Sequence, residues 1–137
     1  MDNFFPNKGK KRILVIDDEV GFTRLLRLNL EGTGLYEVRE ENRGMNGIHA
    51  AREFKPDLIM LDIIMPDIDG GQVATQIHEC SEMRGTPILF VTAIVTKVEA
   101  AVTTGFIGGH PFMPKSVDAE ELLASVQKIL RPAGQAA

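Results

Sequence analysis

A chain of 137 residues, 44% hydrophobic and 25% charged, has the size and balance of one soluble globular domain. A net charge of -4 and a pI near 5.4 give no electrostatic case for nucleic-acid binding, and one cysteine excludes an internal disulfide framework and suits a reducing compartment. No apolar run approaches the roughly 20 residues of a membrane helix, and the opening "MDNFFPNKGKKR" lacks the apolar core of a signal peptide, so the cytoplasm is the expected location.

Residues 1–11 read as a flexible tail. "RILVID", Arg12 to Asp17, is a short β-branched run and predicts a strand buried on both faces. The stretch from Glu19 to Gly32 carries Val20, Leu25, Leu28 and Leu30 near helical spacing, with Gly32 and Gly34 to end it. Tyr36 to Glu40 alternates as a more exposed strand. Met45 to Phe54 predicts a helix with Ile48, Ala51 and Phe54 on one stripe, closed by Pro56. Asp57 to Asp62 is a second buried strand. Gly70 to Arg84 predicts a helix with Val73, Ile77 and Cys80 facing inward. Pro87 to Thr92 is a third buried run, Lys97 to Ile107 a weaker helix, and His110 to Lys115 a last short strand. Ser116 to Leu130 is an amphipathic helix bearing Val117, Leu122, Val126 and Ile129, with Ser116 or Asp118 as its cap. Residues 132–137 read as a second tail.

Strands and helices in alternation predict a parallel sheet covered by helices on both faces. Right-handed crossovers then bring the loops after the strands to one edge, where ligands of such sheets bind. The first strand runs into Asp17, Asp18 and Glu19, the third ends at Asp62, the fourth at Thr92, and Lys115 follows the fifth. Carboxylates gathered beside one lysine and one hydroxyl form a hard, oxygen-rich site. Unpaired, the acids would raise one another's pKa; a divalent cation such as Mg2+ removes the conflict. A carboxylate there can also serve as a nucleophile and form an aspartyl phosphate.

Taken singly, each of these residues has an ordinary reading. Any one acid is a helix or turn cap, Thr92 a strand-end hydroxyl, Lys115 a solvated loop residue and Phe112 core packing. "DIDGG", Asp67 to Gly71, lacks the downstream glutamate of a calcium loop and reads as a turn into the third helix. His49, His78 and His110 have no metal-ligand spacing and read as packing or surface residues. Cys80 reads as buried and inert, and "KGKKR" as a solvated tail.

The combination is more specific. "ILVIDDE", "DLIMLDIIMPDIDG", "PILFVTA" and the lysine after the fifth strand resemble, in order and spacing, the receiver domain of bacterial two-component response regulators, over about Arg12 to Arg131. The resemblance implies a flavodoxin-like (CheY-like) doubly wound sheet of five parallel strands, order 2-1-3-4-5, with five helices. It implies that Asp62 is the phosphoacceptor for a histidine kinase or phosphotransfer protein, in a switch rather than an enzyme. Asp17 and Asp18 would serve Mg2+, Asp18 more directly, with an Asp62 oxygen and the Ile64 backbone carbonyl completing the protein ligands. Thr92 would be the switch hydroxyl, Lys115 the phosphate partner and Phe112 the switch aromatic. A downstream protein would read the face of the fourth helix, fifth strand and fifth helix, without direct contact to nucleic acid or membrane; a homodimer is left open.

Two departures from the family pattern carry expectations. Lys115 is followed by Ser116, and the usual proline stands before it as Pro114. A cis bond before a non-proline residue costs roughly 2.5–4 kcal/mol, so a trans bond is expected there. Ile64 and Ile94 stand two residues beyond Asp62 and Thr92, where the family flanks the attacking water; apolar side chains cannot orient it, so self-dephosphorylation should be slow. Two other functions are compatible with these residues: a metal-dependent phosphatase with an aspartyl nucleophile, and an interaction module that works without phosphorylation. The phosphatase would need a second acid where Ile64 stands, and the module is favoured by loss of the acids or lysine, which are all present. With no room for an output domain after Arg131, the expectation is a stand-alone regulator or a receiver cut from a longer protein.

Overall fold

The computed structural model describes residues 9–93 and 106–131. In chain order the elements are β1 (Lys11–Ile16), α1 (Val20–Glu31), β2 (Tyr36–Glu41), a 3-10 turn (Gly44–Asn46), α2 (Gly47–Phe54), β3 (Leu58–Leu61), α3 (Gly70–Glu79), β4 (Ile88–Thr92), β5 (Phe106–Ile107), β6 (His110–Pro114) and α4 (Ala119–Leu130). They build one sheet in the order β2-β1-β3-β4-β6-β5. Every pairing from β2 across to β6 is parallel, so β6 takes the place of the expected fifth strand in the 2-1-3-4-5 order.

The sixth strand was not expected. Most of the predicted helix over 97–107 lies outside the described residues, but its last two, Phe106 and Ile107, are extended and pair antiparallel with Pro111 and His110. The cause is the intervening Gly108-Gly109, at φ 57 and 85. Two successive left-handed residues make a tight hairpin turn that glycine adopts without steric cost.

Strand alternation divides the core into two layers. Ile13, Val15, Met60, Leu89 and Val91 pack toward α1 and α4, meeting Leu26, Leu30, Leu122 and Val126. Leu14, Ile16, Ile59, Leu61 and Phe90 pack toward α2 and α3, meeting Ala50, Ala51, Val73 and Ile77. Each large aliphatic side chain hidden this way contributes about 1.5–3 kcal/mol; β1 from Ile13 onward and all of β3 carry no polar residue. Asp118 caps α4 as expected, its carboxylate accepting from the Glu121 N–H at 2.9 Å.

The inward face of α1 differs from the expected one. Val20, Leu25 and Leu28 are exposed; Thr23, Leu26 and Leu30 are buried. Leucines surround much of this helix, so hydrophobicity alone does not choose its orientation. Thr23 does: its hydroxyl donates to Glu40 at 2.8 Å and lies 3.1 Å from the Val20 carbonyl, which makes a polar residue cheap to bury. Cys80 is half-buried at the end of α3 rather than enclosed. Among the described residues, no helix is long and apolar enough to cross a membrane.

The start of α3 fixes the loop after β3. Asp69 and Gln72 form a reciprocal capping box, and the Gly70 N–H donates to the Ile63 carbonyl at 2.7 Å. A Cβ on Gly70 would stand 2.1 Å from the Asp62 carbonyl oxygen and 2.8 Å from the Ile63 Cα, backbone atoms that cannot swing aside. Gly70→Ala is therefore expected to lower stability by at least about 1–3 kcal/mol, read as a drop in the urea midpoint; an unchanged midpoint would show that the loop gives way freely.

Candidate functional site

Hydrogen bonding between strands continues one residue past their ends. The Asp62 N–H donates to the Ile16 carbonyl and the Asp17 N–H to the Glu41 carbonyl, both at 3.0 Å. Asp17 and Asp62 thereby sit at adjoining positions of one sheet edge, 2% and 5% exposed. On the far side of the site, the Lys115 N–H donates to the Thr92 carbonyl at 3.0 Å, which brings the lysine to the same edge. Asn42, just after β2, ties the first loop down: its side-chain amide donates to the Asp17 carbonyl at 2.8 Å and to the Thr23 hydroxyl at 3.0 Å.

One ammonium serves several acids. Lys115 Nζ is 2.8 Å from Asp17 Oδ2 and 3.6 Å from Asp62 Oδ2, and it also pairs with Glu19. The contact with Asp17 Oδ2 is an ion pair without hydrogen-bond alignment, so this buried oxygen has no aligned donor among the described residues. Asp17, Asp18 and Asp62 each offer a carboxylate oxygen, and these atoms lie within 4.8 Å of one another. A hard-oxygen set with one poorly satisfied buried oxygen fits a divalent cation such as Mg2+.

The charges register this crowding. Burial, the main influence, pushes Asp17 above the usual carboxylate range, against the pull of Lys115 and of the Glu19 N–H, which donates to Asp17 Oδ1 at 2.9 Å. Burial also raises Asp62, and the Asp17 charge raises it further; Lys115, the Ile64 N–H and the Thr92 hydroxyl oppose them. Burial works to lower Lys115, but its contacts with Asp17 and Glu19 outweigh this and hold the ammonium well above the ordinary lysine range.

Five sequence-predicted residues thus converge: Asp17, Asp18, Asp62, Thr92 and Lys115. Phe112 stands apart, half-buried on β6 opposite Phe90 and packed with the α2–α3 layer. Ile64 holds its side chain outward, 61% exposed, while its N–H turns to Asp62. Ile94 lies outside the described residues. No peptide bond among the described residues is cis, Lys115-Ser116 included. "DIDGG" is a turn and cap, with Asp67 accepting from the Met45 N–H at 2.9 Å and Asp69 from the Gly71 N–H at 2.6 Å. His110 packs edge-on against the Phe90 ring. Sequence reasoning missed Asn42 and Gly70 and gave Glu19 no separate task; the signal available for Asn42 and Glu19 was their place at strand ends on the loaded edge.

A parallel sheet of this order with such an edge defines a phosphoacceptor-type receiver, and residues 13–127 match the family model described as the response regulator receiver domain; the chain belongs to that family. Receiver domains take a phosphoryl group, bind Mg2+ in an acidic pocket, and work between histidine kinases and downstream effectors. The chain is 34% identical over 120 residues to the DNA-binding dual master transcriptional regulator RpaA of Synechocystis sp., covering 88% of this chain and 49% of that one. It is 32% identical to protein PilH of Pseudomonas aeruginosa, covering 87% of this chain and 97% of that one. The chain therefore spans about half the length of RpaA and nearly all of PilH. Among solved structures, the chemotaxis protein CheY4 of Vibrio cholerae superposes with a TM-score of 0.75 at 25% identity, covering 88% of this chain and 99% of that one. A putative response regulator from Chloroflexus aurantiacus gives 0.75 at 26%, covering 90% and 99%.

An acid whose pKa rises on folding costs stability once it ionises. For Asp62 that cost is absent below its unfolded value near 3.8 and complete above its raised folded value. Asp62→Asn is expected to raise stability at pH 7 by on the order of 1 kcal/mol, with the gain fading as the pH falls from the raised folded value to 3.8 and absent below it. Urea unfolding at several pH values checks this; a gain that is the same in acid and at neutrality contradicts it.

Proposed function

We propose that Asp62 accepts a phosphoryl group from the phosphohistidine of a histidine kinase or phosphotransfer protein, and that the modified site changes which protein the domain binds. The observation that supports this reading is convergence on one buried carboxylate. Asp62 Oδ2 stands 3.6 Å from the Lys115 ammonium, with Asp17 and Asp18 grouped around it and the Thr92 hydroxyl bonded to it.

An Asp62 oxygen attacks phosphorus in line with the leaving imidazole nitrogen. The phosphorus–nitrogen bond breaks and its electron pair stays on the ring. Phosphoryl transfer asks a protein mainly for alignment and charge neutralisation, and Lys115 provides part of both. Asp17, Asp18, an Asp62 oxygen and the Ile64 carbonyl would hold Mg2+, which would supply further neutralisation of the phosphoryl oxygens. The product carries about -1.5 to -2 charges in place of the single carboxylate charge that the attack consumes. Thr92 then donates to the new oxygens, and the space it leaves admits Phe112. Alternation supports this pairing, because Thr92 and Phe90 on β4 share a face with Phe112 and Pro114 on β6. A partner that prefers the altered face of β6, α4 and the fourth-helix segment stabilises it in return. The reading belongs to the cytoplasm, where Cys80 stays reduced.

Labelling by acetyl phosphate with Mg2+, and by purified histidine kinases of the host, is expected to disappear in Asp62→Asn; normal labelling at another residue would sink the assignment. With Ile64 beside the acceptor, and Ile94 two residues past Thr92, the label should last minutes or longer. A half-life of seconds contradicts slow self-dephosphorylation.

A further inference from the structure

Glu19 has no task in the phosphoryl transfer described above, yet it occupies Lys115. It is the N-cap of α1, where a side chain ordinarily accepts a hydrogen bond from the first turn; here the side chain makes no such bond. The backbone does the anchoring. The Glu19 carbonyl accepts from the Phe22 and Thr23 N–H groups, both at 3.1 Å, and its N–H holds Asp17 Oδ1. The carboxylate, 62% exposed, is left to reach Lys115, which arrives from 96 residues away. One turn along, Phe22 places its ring against the same ammonium, 4.7 Å from the centroid. Between them they hold Lys115 on the α1 side, nearer Asp17 at 2.8 Å than Asp62 at 3.6 Å.

We propose that Glu19 is a positioning residue that restrains Lys115 and must release it before the lysine can pair with a phosphoryl group on Asp62. The inference rests on the reading of Asp62 as the acceptor. Lys115 has two short partners to choose between. Giving up Asp17 would take the ammonium away from a buried carboxylate, which is costly. Giving up Glu19 returns an exposed carboxylate to water, which costs little. The lysine therefore keeps Asp17 and exchanges Glu19 for phosphoryl oxygens. Glu19 acts as a reversible hold that slows loading of the site.

The test measures the rate of Asp62 labelling by acetyl phosphate with Mg2+ in wild type, Glu19→Gln, Lys115→Ala and the double variant. Glu41→Gln is the charge-matched control, since the Glu41 side chain bonds to Asn46 and to the Arg43 N–H at the same edge. Glu19→Gln is expected to label about two- to fivefold faster than wild type, the rate equivalent of one exposed ion pair. Glu41→Gln should not, and the gain should vanish in the Lys115→Ala background. No acceleration, the same acceleration in Glu41→Gln, or a gain that persists without Lys115 overturns the proposal. Urea unfolding without donor or Mg2+ reads the hold separately: the midpoint shifts of Glu19→Gln and Lys115→Ala should be non-additive, and additive shifts also overturn it. A wild-type chain that takes no label on Asp62 refutes the acceptor role itself, a result distinct from a labelled chain indifferent to Glu19.

Discussion

The placement of Asp17 and Asp62 on adjoining strands, at the one edge where backbone pairing has just ended, governs the rest of the molecule. Two carboxylates that close, and that dry, resist ionising together. The surroundings respond with a lysine ammonium, two backbone N–H groups and a hydroxyl. Compensation remains incomplete, because Asp17, Asp18, Glu19 and Asp62 together outnumber Lys115. The edge is thus left short of positive charge at rest. That deficit makes it receptive to a cation, and it makes the position of the Lys115 ammonium matter.

The scaffold serves this edge by being rigid beneath it. β3 and the Ile13–Ile16 stretch of β1 are apolar on both faces and enclosed by helix layers, so the acids at their ends inherit fixed positions. Asn42 secures the first acid's backbone from the β2 side, and Gly70 lets α3 press against the second acid's backbone. Neither residue touches the carboxylate oxygens of Asp17 or Asp62. Their effect is to deny the two loops freedom that would let like charges move apart.

The sheet order and the site were legible because they depend on patterns with little ambiguity. Buried parallel strands write themselves as unbroken apolar runs, and an acid at the end of such a run has few structural excuses. The orientation of α1 was less legible. Its buried face includes Thr23, whose concealment depends on Glu40 and Asn42, residues far along the chain that a local pattern cannot see. The Phe106–Ile107 strand was hidden for a different reason: the preceding residues have helical composition, and Gly108-Gly109 reads equally well as a helix stop or as a hairpin turn. Glu19 shows a third limit. Its position at a helix start suggests a cap, and only the geometry reveals that the side chain is spent elsewhere.

The hairpin that joins β5 to β6 also shapes the margin of the sheet. An open edge strand offers alternating donors and acceptors, a template on which another chain can add itself. β6 is ill-suited to that role. Pro111 and Pro114 supply no N–H, and β5 already pairs with His110 and Pro111. Growth of the sheet by strand addition is therefore discouraged along β6. A protein that docks there must read side-chain shape and charge, the properties that chemical modification of the neighbouring edge is able to alter.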